Sequence, residues 1–303
     1  MTVREFRNRD LPELLALLKA QDERAGQRSM TPESRSVEEL ALELGELSPY
    51  TELVPLVLEQ HGQLAAYVAL CEYDGEAFLE GPLMRAELSA DNVAPLLNEA
   101  VTAAKARGYG FVEAFVDQEN VRAQSALAAS AFEPFRTTYI YEFRRDTVVT
   151  PLSPSVFRFE AFRFGEGKSV DVGVYRDLYR DTSDNWATRL AWRDEDLQER
   201  FSNPEVSLTL AYQNDAPVGH LELERLPDEG YAEVAYFGVL PAARGQKLGR
   251  ELLLRGLHEA LANPDVELVL ARAHDDERAA SVTLESVGFL LSHGVVAFTL
   301  ELE

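Results

Sequence analysis

The chain repeats itself, and this limits its fold more than any other feature. The run from Gly108 to Asp117 reads as a strand leaving a helix, and the run from Val266 to Ala273 reads the same way. After each strand comes a polar turn, then a helix ending in a small residue and a phenylalanine. The first such segment runs from Asn120 to Phe132, the second from Glu277 to Phe289. Phe132 and Phe289 are 157 positions apart. The same offset, without a gap, sets Gly81 on Gly238, Leu83 on Leu240, and Leu96 and Leu97 on Leu253 and Leu254. An offset held over roughly fifty residues implies duplication. The 303 residues therefore divide into domains at 1–149 and 150–303, each of ordinary size for one core. The polar segment 144–154, with Pro151 and Pro154, serves as linker.

Each half reads as strand, helices, a hairpin and further strands, then helix, strand, helix, strand. Thr2 to Phe6 is the opening strand, and Asp10 is placed to cap a helix with Pro12 in its first turn. One hairpin turns at His61-Gly62 and its counterpart at Asn214-Asp215. Glu222 and Glu224 alternate with Leu221 and Leu223, the pattern of a half-solvated strand. Hairpins combined with a βαβ crossover make the class α+β: two tandem domains, each a mixed, mostly antiparallel sheet flanked by helices.

Composition narrows the function classes. Cys71 is the only cysteine, which excludes an intramolecular disulfide and a cysteine-based zinc site; no metal is expected. Its apolar surroundings mark it as a buried strand residue rather than a nucleophile. A net charge of −23 repels nucleic acid and anionic membranes and attracts cations, such as an amine. No apolar run reaches the ~18 residues needed to span a bilayer, and Met1 to Glu5 lacks a signal-peptide core. A cytoplasmic monomer or homodimer is expected, without nucleic-acid or membrane partners.

The chemistry concentrates in 231–261. Tyr231 to Leu240 is a strand rich in aromatic and β-branched residues, Pro241 ends it, and Arg250 to Leu261 is an amphipathic helix. A strand, a glycine-containing turn and a helix N-terminus together hold phosphate, because the first turn leaves N–H groups unpaired and the helix dipole attracts anions. Arg244, Lys247 and Arg250 reverse the sign of the charge locally in an acidic chain. The Gly-Lys-Ser/Thr of a P-loop and the Gly-x-Gly-x-x-Gly of a dinucleotide fold are both absent.

Arg244 to Gly249 resembles the pyrophosphate loop of the GNAT (GCN5-related) N-acetyltransferase family, Arg/Gln-x-x-Gly-x-Gly/Ala. Arg244 and Gly249 match its ends, Gly245 matches the common glycine after the arginine, and Lys247 stands where the middle glycine is usual. The helix ending in Gly288-Phe289 resembles the family's later motif, although Glu277 replaces its opening asparagine and Leu284 the tyrosine often used as general acid. The length and repeat are similar to tandem members such as the mycothiol synthases. This resemblance implies acetyl-CoA as co-substrate. Phe237, Gly238 and Val239 are expected to meet the pantetheine arm and thioester through backbone N–H groups, with Gly238 helping a bulge form. Arg244, Gly245, Gln246, Lys247, Leu248, Gly249 and Arg250 are expected around the pyrophosphate.

The implied reaction is direct attack of an amine, of a small molecule or an N-terminus, on the thioester. Glu233 is the candidate base and Glu222, one strand away, the second. Tyr236 and His274 are candidates for the general acid. Tyr179, Trp186 and Trp192 either line an acceptor pocket or pack a core. In the first copy Glu87 and Leu88 replace Arg244 and Gly245, and Asp91 adds a further negative charge, so that copy reads as degenerate. The alternative is an acyl-CoA-binding or regulatory module without catalysis.

Overall fold

The structure, a computed structural model, describes residues 1–23, 28–45, 48, 50–73, 75–163, 170–182 and 192–302. It forms two compact units, Met1–Thr138 with His293–Glu303, and Tyr139–Ser292. The first unit orders its strands β1 (Thr2–Glu5), β2 (Glu52–Gln60), β3 (Gln63–Tyr73), β4 (Glu76–Met84), β5 (Phe111–Asp117) and β12 (Leu290–Glu301). All neighbours are antiparallel except β4 and β5, which are parallel. Its helices are α1 (Leu11–Asp22), α2 (Val37–Glu43), α3 (Ala90–Arg107) and α4 (Val121–Ala129).

The second unit repeats this plan. Its strands run β7 (Arg158–Arg163), β8 (Val206–Gln213), β9 (Ala216–Leu226), β10 (Tyr231–Val239), β11 (Leu268–His274) and β6 (Glu133–Arg144). Here the parallel pair is β10 and β11. Its helices are α5 (Val172–Thr182), α6 (Asp194–Ser202), α7 (Leu248–Ala260) and α8 (Arg278–Val287).

Both hairpins turn where the sequence places them. His61 and Gly62 have φ of 54° and 78°, and Asn214 and Asp215 have 52° and 62°. Two consecutive left-handed residues make a type I′ turn, whose twist matches that of the strands it joins. Asp10 differs from expectation. It precedes α1 but makes no side-chain cap; its carboxylate accepts from Arg4 at 2.7 and 2.9 Å and from the Arg7 N–H at 2.8 Å.

The division of the chain also differs from a cut at 149/150. The sixth strand of each unit comes from the other repeat. Tyr141 and Phe143, on β6, are buried in the second unit's core, where the Phe143 ring meets Phe289 edge-on at 5.6 Å. Val296 and Phe298, on β12, are buried in the first unit's core beside Val116.

The alternation along β9 has a different meaning from the one expected. Leu221 and Leu223 face the α7 side, with Leu252, Leu253 and Leu257. The opposite face is covered rather than half-solvated: His220 is 1% exposed and Glu222 0%. The α5 side chain Tyr175 and the α6 side chain Arg200 both bond to Glu222. The polar face of this sheet is therefore an interior.

Candidate active site

The pairing of β10 with β11 runs from Tyr231–Leu268 to Val234–Ala271 and stops there among the described residues. Against β9 the register of β10 shifts between Val234 and Tyr236, which puts a bulge at Ala235 rather than at Gly238. A bulge bends the strand that carries it, and beyond it β10 leaves β11. Leu240 donates its N–H to Val218 of β9 at 2.9 Å. Backbone direction alternates along a strand, so Gly238 also turns its N–H toward β9, while Phe237 and Val239 turn theirs to the open side. The Val239 carbonyl on that side accepts from Arg244 Nε at 3.0 Å. The gap thus presents the N–H groups of Phe237 and Val239.

Gly238 does something else. A Cβ there would stand 2.3 Å from Thr182 Oγ1 and 2.8 Å from His220 Nε2. The missing side chain lets the end of α5 press onto the strand.

The loop after β10 leads into α7, which opens without a side-chain cap. The first N–H groups of such a helix have no partner within the helix. Gly245 has φ +75°, with open space where a Cβ would project. Lys247 has φ +65°, a left-handed conformation that glycine adopts freely and a lysine at a cost of ~1–2 kcal/mol; this is the physical reason for the glycine usual at that position. Leu248 is buried in the core, so only its backbone can serve a ligand. A Cβ on Gly249 would just touch Thr283 of α8 at 3.4 Å. Gln246 is exposed and accepts from Gln213 at 3.2 Å. Lys247 is exposed and Arg250 half-buried, and among the described residues neither pairs with a carboxylate. Arg244 differs: its guanidinium bonds the carbonyls of Val239 and Thr182.

Across the open side, β11 and α8 contribute His274, Glu277 and Arg272. With Tyr179, His220, Ala235, Tyr236, Phe237 and others they line a cavity of ≈ 110 Å³. His274 is 3% exposed, a buried histidine rather than the surface residue usual at a strand end. The Glu277 carboxylate accepts the His274 N–H at 3.1 Å.

The two candidate bases stand differently. Glu222 accepts from Tyr175 Oη at 2.9 Å and from Arg200 Nε at 2.8 Å, while Arg200 reaches Glu224 at 2.7 Å. It is a locked, charge-paired carboxylate. Glu233 lies directly opposite Glu224 and pairs with Arg272 at 2.8 Å. Burial pushes the Glu233 carboxyl above its ordinary value, Arg272 pulls it back and Glu224 raises it further. Tyr236 is half-buried, edge-on to Tyr179 at 5.2 Å. Leu284 is fully buried in the core, so this position supplies no acid. Tyr179 packs in the cluster under α5 and also lines the cavity; Trp192 packs on that cluster. Trp186 lies outside the described residues.

His220 escaped the sequence reading. It lines the cavity, bonds Thr182 Oγ1 through Nε2 at 3.1 Å, and meets the Tyr175 and Tyr179 rings. In the sequence His220 shares a strand face with Glu222 and Glu224, a pattern that a solvated face gives equally.

The first unit treats the corresponding loop in the opposite way. Arg122 donates to the carbonyls of Arg85 and Leu88 at 2.7 and 2.8 Å, so this loop turns oxygens inward onto a cation of its own chain. The Asn92 carboxamide takes the Ser89 N–H at the start of α3. The offset sets Arg122 on Ala279, which carries no such cation.

The tandem α+β fold, with a splayed parallel strand pair and an uncapped helix after it, has counterparts among known proteins. Residues 172–289 match the family model described as the acetyltransferase (GNAT) family. Over 107 residues the chain is 38% identical to the mycothiol acetyltransferase of Mycobacteroides abscessus, a match covering 33% of this chain and 36% of that protein. The chain thus spans about a third of that curated relative's length. In fold it is similar to a tandem GNAT protein from the clavulanic acid biosynthesis pathway, with TM-score 0.63 and 17% identity over 99% of this chain and 98% of that one. It is also similar to a GCN5-related N-acetyltransferase from Sphaerobacter thermophilus, with TM-score 0.71 and 17% identity over 99% and 95%. Residues 172–289 thus match the acetyltransferase (GNAT) family, and the chain as a whole has the fold of the tandem GNAT protein.

Proposed function

We propose that this chain is an N-acetyltransferase whose second unit moves an acetyl group from acetyl-CoA to the amine of a small molecule or an N-terminus, while its first unit is a degenerate copy that binds no coenzyme. The supporting observation is one arrangement: an uncapped α7 N-terminus, the outward N–H groups of Phe237 and Val239, and on the same strand the partly buried Glu233, paired with the cavity-lining Arg272. The group named for the Mycobacteroides abscessus relative, acetyl, supports the choice of donor.

Acetyl-CoA, when bound, supplies an activated acyl group. The chain's residues do the rest. The N–H groups of Leu248, Gly249 and Arg250 hold the pyrophosphate, with Lys247 and Arg250 adding charge. The N–H groups of Phe237 and Val239 meet the pantetheine arm and the acyl oxygen, where fixed donors stabilise developing negative charge. Glu233 removes a proton from the ammonium, directly or through water. Its raised carboxyl suits this role, because a base is most effective when its pKa approaches the operating pH. Glu222 is not the base, since its charge and both oxygens are already engaged by Tyr175 and Arg200. Tyr236 and His274, on the cavity wall, are placed to return a proton to the departing thiolate. Attack is direct: Cys71 belongs to the first unit and is buried, and burial pushes its thiol far up.

Thiol release from acetyl-CoA, measured against a panel of primary amines, tests the reading. Amine-dependent release is expected, with Glu233→Gln lowering kcat about a hundredfold and leaving coenzyme A affinity unchanged. Tight binding of acetyl-CoA with no turnover on any amine would favour the non-catalytic binding module.

A further inference from the structure

We propose that Arg244 is a positioning residue rather than a phosphate ligand: it ties the pyrophosphate loop to the end of α5 and so sets the acceptor side of the cavity according to whether the donor side is filled. This rests on the functional reading above. The guanidinium donates through Nε to the Val239 carbonyl at 3.0 Å and through a terminal nitrogen to the Thr182 carbonyl at 3.1 Å. Thr182 is the last residue of α5. Its carbonyl is where the Arg244 guanidinium reaches this helix.

Thr182 is held on two further sides. Its hydroxyl stands 3.1 Å from His220 Nε2, and Gly238 leaves no room between it and the strand. From α5, Tyr175 holds Glu222 and Tyr179 meets Tyr236 and His220. A shift at residues 244–249 is thus carried by Arg244 to Thr182, and by Thr182 to His220 and Tyr179 in the cavity wall. The positive charge in the family pattern here serves carbonyls, and the anion is left to backbone N–H groups, Lys247 and Arg250.

Hydrogen exchange with coenzyme A itself as the probe reads this link. In the wild-type chain, coenzyme A should slow amide exchange in the last turn of α5 as well as in 244–250. In Arg244→Ala, calorimetry should find coenzyme A affinity within about threefold of wild type, the loop should still be protected, and the coenzyme-induced protection of α5 should be gone. Arg244→Gln, which keeps a donor and guards against a folding defect in the alanine variant, should retain part of it. A loss of tenfold or more in coenzyme A affinity would make Arg244 a ligand and overturn the proposal. Protection of α5 that survives in Arg244→Ala, on whatever baseline, would overturn it too, because a merely structural brace changes exchange equally with and without ligand. A wild-type chain that takes up no coenzyme A would overturn the functional reading along with this one.

Discussion

Glu233 and Glu222 lie on the same covered face of one sheet, on neighbouring strands, and differ in what surrounds them. Tyr175 and Arg200 both donate to Glu222, whereas Glu233 is raised by burial and restrained by Arg272, a side chain half open to solvent. Removing Arg272 takes away the main influence that lowers the Glu233 carboxyl. Arg272→Gln should therefore move the acidic limb of the kcat/KM profile to higher pH and reduce activity most below neutrality; an unmoved limb would separate Glu233 from the proton transfer. A second carboxylate offers a test in the first unit. Glu80 is fully buried, accepts from Tyr50 at 2.8 Å and Tyr67 at 3.1 Å, and is pushed by burial up to about 7 from an ordinary 4.5. A carboxyl raised on folding favours the folded state while protonated. Its contribution is full below about 4.5 and is lost as pH rises through about 7. Glu80→Gln should flatten that decline in denaturant midpoint between pH 5 and 8 and be the more stable protein at pH 8. Legibility at this scale followed local chemistry. Gly245 and Glu233 could be read from the loop and strand patterns. His220 could not, because an alternating strand looks the same whether water or a helix covers its polar face. That α5 and α6 cover it with Tyr175 and Arg200 depends on tertiary packing, which spacing along the chain does not encode.

At the scale of elements, the repeat predicts every strand but not its address. The offset of 157 assigns each closing strand to its own half, because both copies of the strand follow a Phe. The structure gives the end of β6, from Tyr139, to the second unit and the end of β12, from His293, to the first. Sheet pairing is long-range, and two similar strands can satisfy either sheet; only the side chains they meet decide. Phe143 under Phe289, and Phe298 in the core with Val116, record that decision. A fragment of 139–292 should fold and bind coenzyme A alone. A fragment of 150–303 lacks Tyr141 and Phe143, and loss of one buried aromatic typically costs ~3–5 kcal/mol. It should be unfolded or aggregated, with β12 an unpaired edge. A soluble, coenzyme-binding 150–303 would place the exchange in error. The β10–β11 splay was legible only in outline: the strand was clear, but the bulge falls at Ala235, where no glycine marks it.

For the whole molecule, duplication with divergence is the organising idea. The two units share strand order and a crossover, and no described helix is long and apolar enough to cross a membrane. They differ at one place. In the second unit the loop opens a helix without a side-chain cap, and in the first it presents carbonyls to Arg122. On the proposed reading, the carbonyls that the first loop gives to Arg122 take the place of the anion proposed for the second. Calorimetric titration of the full chain with coenzyme A tests this most directly. The account predicts one site per chain, abolished by Gly245→Glu, which sets a carboxylate and a strained left-handed side chain beside the pyrophosphate, and unaffected by Ser89→Glu in the first unit. Two sites of similar affinity, or a single site that survives Gly245→Glu and is lost in Ser89→Glu, would contradict it.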